Sequence, residues 1–216
     1  MLTPEQLAAL RQDYSQRGLR RSDLHPDPIA QFNHWLEEAL RQQLPEPNAM
    51  VLGTVDPAGQ PWSRTVLLKI CDARGFTFFT NYESAKGEQI AANARAALTF
   101  LWLPLERQVN IAGTITQTSR EESEGYFHAR PVGSQLGAWT SEQSAVIADR
   151  TELERQFEEA RARYGETAIP LPPHWGGYTL APHTIEFWQG RRSRLHDRLR
   201  YSRQPDGAWK IERLSP

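Results

Sequence analysis

AMVLGTVDPAGQPWSRTVLLKICDARGFTFFTN, residues 49–81, decides the fold. Three runs rich in β-branched and aromatic residues, AMVLGTV, PWSRTVLLKI and GFTFFTN, are separated by the turn sequences DPAG and DARG. The stretch therefore predicts three consecutive strands joined by tight turns. Upstream the period is helical. Asp27-Pro28 opens a helix whose apolar side is Phe32, Trp35, Leu36, Ala39 and Leu40, closed by Pro45 and Pro47. Before it, Thr3, Pro4 and Gln6 make a capping box, Leu7, Leu10 and Tyr14 follow at helical spacing, and Gly18 ends the element. Downstream, Ser84 to Asn93 reads as a short helix, and ALTFLWL and RQVNIAGTIT as strands. Ser119 with Glu122 opens a helix that Pro131 terminates. Thr151 with Glu154 opens another, carrying Leu153, Phe157, Ala160 and Tyr164. The connection from Arg130 to Thr151 has no clear period, and loops of that length are usually functional or pack on a partner. The end of the chain returns to strands: YTL, TIEFWQG, a turn near Arg191–Ser193, RLHDRLRY and AWKIERL. Hairpin-linked strands with helices inserted between them predict an α+β fold, a mainly antiparallel barrel with peripheral helices.

Composition narrows the function. At 216 residues the length fits one domain, and a net charge of -1 argues against a general nucleic-acid or anionic-membrane binder. MLTPEQLAALRQDY has no basic start followed by an apolar core, so no signal peptide is expected, and no apolar run is long enough to span a bilayer. A cytoplasmic protein is the simplest expectation. Cys71 is the only cysteine, which excludes an intrachain disulfide and a cysteine-rich zinc cluster. His25, His34, His128, His174 and His183 show no metal-ligand spacing, so no metal site is expected. There is no GxGxxG, no Walker loop and no GxSxG elbow, which argues against Rossmann, P-loop and serine-hydrolase sites.

Three clusters remain. In NYESAKGEQI, Ser84 at an N-cap and Lys86 in the first turn would suit a phosphate monoester; an ordinary capped surface helix is the plainer alternative. In YFHARPVGS, Tyr126 and Arg130 would share a helix face with Ser134 just beyond, partners for a second phosphate or a simple helix end. In RLHDR, Arg194, His196 and Arg198 alternate, so on a strand they share one face; an anionic ligand would explain two cations beside an imidazole, and a solvated face is the alternative. Arg64 and Lys69 in SRTVLLK fall on opposite faces of a regular strand, unless a bulge intervenes. Arg20 and Arg21 read first as a solvated pair; with Arg213 they offer a second anion site for product.

Taken together, LRQDYSQRGLRRSDL, RTVLLK, FFTNYESAKG, LERQV, YFHARPVGSQLGAW, SEQSAVI, PPHWGGY, IEFWQGRRSRLHDR and WKIERLSP resemble the pyridoxamine 5'-phosphate oxidase family nearly end to end. The resemblance implies a single FMN-binding split β-barrel domain over 1–216, with a helical segment over roughly 1–45 and a C-terminal strand hairpin over roughly 176–216. It implies a homodimer with FMN at the interface. Substrates would be pyridoxamine 5'-phosphate and pyridoxine 5'-phosphate, oxidised at C4' with hydride transfer to flavin N5. O2 reoxidises the flavin and gives H2O2, with pyridoxal 5'-phosphate as product. Carried over by motif, the FMN contacts are Arg64, Thr65, Val66, Leu67, Leu68 and Lys69, then Phe79, Thr80, Ala85 and Lys86. Gln108, Gln143, Ser144, Trp188 and Arg198 complete that set. Lys69, Tyr126, Arg130 and Ser134 would hold the substrate phosphate, with Arg194 and His196 at the reacting carbon and Arg11 and Tyr14 in a segment closing over it.

One departure stands out. The family usually reads Ser-Arg-Lys where this chain has Ser84-Ala85-Lys86, so weaker FMN retention is expected. Phe79 stands where some relatives have Tyr, a mild change because the backbone can serve the cofactor there. Two other readings stay open: a flavin reductase-like split-barrel enzyme, and an FMN- or pyridoxal phosphate-binding carrier without turnover.

Overall fold

The computed structural model describes residues 2–10, 13–165 and 168–216. In chain order these form α1 (Pro4–Ala8), α2 (Pro28–Arg41), β1 (Ala49–Val55), β2 (Pro61–Leu67), β3 (Ile70–Asp72), β4 (Gly75–Asn81) and α3 (Ala85–Ala92). There follow β5 (Arg95–Trp102), β6 (Arg107–Gln117), α4 (Arg120–His128), α5 (Val132–Thr140), α6 (Arg150–Tyr164), β7 (Trp175–Gln189), β8 (Asp197–Arg203) and β9 (Trp209–Leu214). The class is helices with an antiparallel sheet, as expected. The chain forms two compact units: a terminal one of Met1–Pro47, Thr99–Ile111 and His183–Pro216, and a central one of Asn48–Leu98 and Ala112–Pro182.

In the central unit β1 and β2 form a hairpin running from Ala49↔Leu67 to Val55↔Pro61. Asp56 ties its turn by accepting N–H bonds from Ala58 and Gln60 and the indole N–H of Trp62. PWSRTVLLKI is not one strand. The N–H of Leu68 still donates to Asn48 beside β1, whereas that of Lys69 donates to Thr77 on β4. The chain changes partner there, so β3 pairs with β4, and the opposite-face argument for Arg64 and Lys69 does not apply. β4 then pairs with β7 from Phe76↔Leu180 to Asn81↔Trp175.

The helices correct three expectations. Residues 130–151 are not a featureless loop: α5 fills their first half, with Pro131 at its N-cap, and buries Leu136 and Ala138 in a cluster with Phe127, Ala160, Ile169, Leu171 and Trp175. Asp149, not Thr151, caps α6, because its carboxylate accepts the Glu152 N–H; Glu154 pairs with Arg150 instead. Ser119 does cap α4, but Glu122 reaches Arg74 rather than closing the box.

The terminal unit packs α2 on aromatic rings. Phe32 meets Phe100 at 4.8 Å, Trp35 meets Phe187 edge-on at 5.0 Å, and Phe187 meets Tyr201 at 5.6 Å. Arg107 stacks over Trp35 at 4.4 Å and pairs with Glu38. Leu40, expected on the apolar side, is exposed. α1 has its capping box but stops at Ala8, short of Leu10 and Tyr14. None of its residues is buried, and so short a helix needs packing to extend. YTL and TIEFWQG are one strand, β7; Pro182, which has no N–H to give, falls between the β4 partners and the β8 partners that begin at Thr184.

Phe187 is fully buried, so Phe187→Ala is expected to cost about 3–5 kcal/mol in a chemical denaturation midpoint measurement.

Candidate active site

The first turn of α3 is built to present a cation. The Ser84 hydroxyl accepts the Gly87 N–H at 3.4 Å and donates to the Asn81 carbonyl at 2.7 Å. Gly87 has to lack a side chain: a Cβ would lie 1.9 Å from the Tyr82 carbonyl oxygen. Lys86 is buried, and its Nζ donates to Thr80 Oγ1 at 2.9 Å, Ser84 Oγ at 3.0 Å and Gln143 Oε1 at 3.1 Å. Nearby, Arg64 donates to Thr54 Oγ1, to Gln89 Oε1 at 2.9 Å and to the Leu52 carbonyl. Every one of these acceptors is neutral. Burial, and then the charge of Arg64, push the Lys86 amine down to about 8. The Ala85 N–H points to Ser144 Oγ at 3.3 Å, and Ala85 itself is exposed.

A cavity of about 570 Å³ in the same unit is lined by Val66, Leu67 and Lys69, by Phe79 and Thr80, by Tyr126, Arg130 and Ser134, and by Gln143 and Trp175. It thus brings together five separate stretches of sequence. Tyr126 and Phe79 stack at 4.0 Å, and Phe79 and Trp175 at 5.6 Å. The Arg130 guanidinium lies over Trp175 at 4.5 Å, and its Nη1 is buried without a hydrogen-bond partner. Burial lowers the Arg130 pKa. Arg130 is not on a helix face with Tyr126, since α4 ends at His128, yet both line the cavity. Trp175 was missed from sequence. Its only signal is an aromatic between Pro172-Pro173 and Gly176-Gly177, and no charge pattern marks it. Arg120 holds that segment by donating to the carbonyls of Leu171, Pro172 and Trp175.

Thr65, on β2, and Leu68, just after it, are in the central unit without lining the cavity; the remaining residues of the resemblance lie in the terminal unit. Tyr14 meets Trp188 at 5.7 Å and His196 at 5.5 Å, both edge-on, and Trp188 meets His196 at 4.6 Å. Arg194, His196 and Arg198 do not alternate along a strand. Ser193 and Arg194 are left-handed, with φ of 55° and 60°, and β8 begins only at Asp197. Arg198 is on β8, paired with Glu186 at 2.7 Å. Gln108 is on β6, half-buried. Arg11 lies outside the described residues. Arg17, Arg20, Arg191 and Arg213 line a pocket of about 330 Å³ with Asp197, but Arg213 is already paired with that carboxylate at 2.6 Å, and Arg21 is not among the lining residues.

Among the described residues no group of His, Cys, Asp and Glu side chains can hold a metal ion, and no helix is long and apolar enough to cross a membrane.

Comparison with known proteins identifies the family. Residues 36–164 match the family "Pyridoxamine 5'-phosphate oxidase", and residues 175–216 match "Pyridoxine 5'-phosphate oxidase C-terminal dimerisation region". A pyridoxine/pyridoxamine 5'-phosphate oxidase of Ralstonia nicotianae is 57% identical over 97% of this chain and 99% of its own length. PhzG of Burkholderia lata, solved with tetrahydrophenazine-1-carboxylic acid, superposes with a TM-score of 0.87 at 31% identity, covering 94% of this chain and 100% of its own. An FMN-binding, pyridoxamine 5'-phosphate oxidase-related protein of Nostoc punctiforme shares the fold, with a TM-score of 0.70 at 19% identity over 86% of this chain and 97% of its own. The chain belongs to the pyridoxamine 5'-phosphate oxidase family. Its fold is the split barrel of the FMN-binding proteins, its cofactor is FMN, and it carries the family's dimerisation region.

His196 Nδ1 accepts the Arg191 N–H at 3.1 Å. A backbone N–H can only donate, so the neutral ring carries its proton on Nε2. Burial, then the charge of Arg194, also lower the His196 pKa, so the cationic ring should form only below the ordinary histidine range. A ¹⁵N-histidine NMR titration should show an unprotonated Nδ1 and a protonated Nε2 at neutral pH; a proton on Nδ1 would contradict this.

Proposed function

We propose that this chain is a homodimeric oxidase converting pyridoxamine 5'-phosphate and pyridoxine 5'-phosphate to pyridoxal 5'-phosphate. The observation that carries the reading is the cavity, in which unpaired cations and aromatic faces from four of those stretches of sequence meet. Lys86 and Arg64 have only neutral partners, and the positive end of the α3 dipole lies at Lys86. That donor set fits the phosphate of FMN. Val66, Leu67, Phe79, Thr80 and Gln143 would flank the cofactor, with Thr65, Leu68, Ser144, Gln108, Trp188 and Arg198 completing the contacts that the resemblance implies. Lys69, Tyr126, Arg130 and Ser134 would hold the substrate phosphate. The orphaned Nη1 of Arg130 is an unmet demand for an acceptor. Arg194 and His196, with Tyr14, would orient the pyridine ring. When bound, the flavin supplies the two-electron acceptor that O2 regenerates, with H2O2 formed; the amine substrate also releases ammonia after taking up water.

The likeness to PhzG supports a second reading, oxidation of a carboxylated tricyclic ring. Oxygen uptake with FMN present separates the two. Turnover of the pyridoxal precursors supports the first, and turnover of tetrahydrophenazine-1-carboxylic acid alone supports the second. Arg130→Lys should raise KM for either phosphate substrate about 10- to 100-fold, because the ammonium cannot reproduce a fixed, stacked fork.

By the family pattern, which has Arg between Ser84 and Lys86, Ala85 would remove a charged donor from beside the cofactor phosphate. Ala85→Arg is expected to tighten FMN about 10-fold or more in a fluorescence titration. Unchanged affinity would show that Lys86 and Arg64 already suffice.

A further inference from the structure

Glu106 belongs to none of the contacts above, yet two distant segments of the terminal unit converge on it. Its Oε1 accepts the Ser15 N–H at 3.0 Å and its Oε2 the Gln16 N–H at 3.1 Å. Its own carbonyl accepts the Gly190 N–H at 2.7 Å and the Gln189 side-chain N–H at 3.1 Å. No ion pair among the described residues includes Glu106, so its charge is answered by backbone N–H groups. One residue therefore ties the backbone next to Tyr14 to the backbone next to Trp188. Gly190 completes the arrangement from below: a Cβ there would lie 2.8 Å from Tyr14 Cγ and 3.0 Å from Glu106 Cβ.

We propose that Glu106 is a positioning residue: its carboxylate clasps residues 15 and 16 and so seats the Tyr14 ring against Trp188 and His196. The carboxylate need not touch substrate to act. It fixes the chain on the C-terminal side of Tyr14, and the missing Cβ of Gly190 leaves the ring its place. The kinetic consequence rests on the function proposed above, since a seated Tyr14 would contribute to substrate binding only if this is the substrate site. The clasp itself does not.

Three variants test it: Glu106→Ala, Glu106→Gln, which keeps one acceptor oxygen without the charge, and Gly190→Ala, which keeps the carboxylate but crowds Tyr14 and the Glu106 Cβ. Hydrogen–deuterium exchange over residues 13–19 should rise in Glu106→Ala, rise less in Glu106→Gln, and rise in Gly190→Ala. Unchanged exchange in folded Glu106→Ala overturns the clasp, and if that variant does not fold, unchanged exchange in both others does so. With the phosphate substrates, Glu106→Ala should raise KM about tenfold with kcat nearly kept. Combined with Tyr14→Ala it should cost little more than the worse single change, because both remove one interaction. Additive losses would show that Glu106 acts otherwise than through Tyr14. Should the unaltered enzyme not oxidise either substrate, the proposed function fails while the exchange measurement still decides the clasp.

Discussion

A buried ammonium with no carboxylate near it is an expensive thing to fold, and Lys86 is one. Its three acceptors are a serine, a threonine and a glutamine oxygen, and the cation nearest it in effect, Arg64, raises the cost rather than lowering it. The surroundings are arranged to tolerate this. Ser84 caps α3 and at the same time accepts from Lys86, so the helix start and the cation are placed by one hydroxyl. The bare Cα of Gly87 lets that turn lie on the Tyr82 carbonyl. Local structure is thus spent on keeping a positive charge available.

Arg130 meets the same problem in a different way. A carboxylate partner would fix the guanidinium in place but would also consume its charge. The face of Trp175 positions it while leaving the charge to attract an anion. Trp175 is in turn stacked with Phe79 and Tyr126, and Arg120 pins its backbone. The wall of the cavity is therefore stiff where the cation leans on it. Stiffness of this kind reduces the entropy lost when a ligand binds.

Much of this was legible in the order of residues. The hairpins at 49–81, the cap at Ser84 and the helix from Asp27 follow from local signals that tertiary packing did not override. What escaped depended on distant partners. The break at Leu68–Lys69 is a change of neighbouring strand, which no period inside PWSRTVLLKI records. α5 contains Gly133 and Gly137 and holds because Leu136 and Ala138 pack into the Phe127 cluster. Alternation in RLHDR suggested a charged strand face, but left-handed residues at Ser193 and Arg194 break the regularity it assumed. Trp175 could not be found from its neighbours, because its role is defined by Arg130. The family resemblance supplied the cofactor and substrate, which the residues alone indicated only as two anions.

The terminal unit is assembled from three stretches of chain, with the central unit inserted between them twice. Its bonds span most of the sequence: Tyr201 donates to the His25 carbonyl, 176 residues away, and Arg213 to that of Leu19, 194 residues away. During synthesis the central unit has all its residues once Pro182 has emerged, whereas the terminal unit still lacks its last 34. Phe32 of α2 can meet Phe100 once β5 has been made, but Trp35 must wait for Phe187 on β7, and the His25 carbonyl for Tyr201 on β8. The aromatic side of α2 is thus partly uncovered, and open to aggregation, for as long as residues 112–182 of the central unit take to be made.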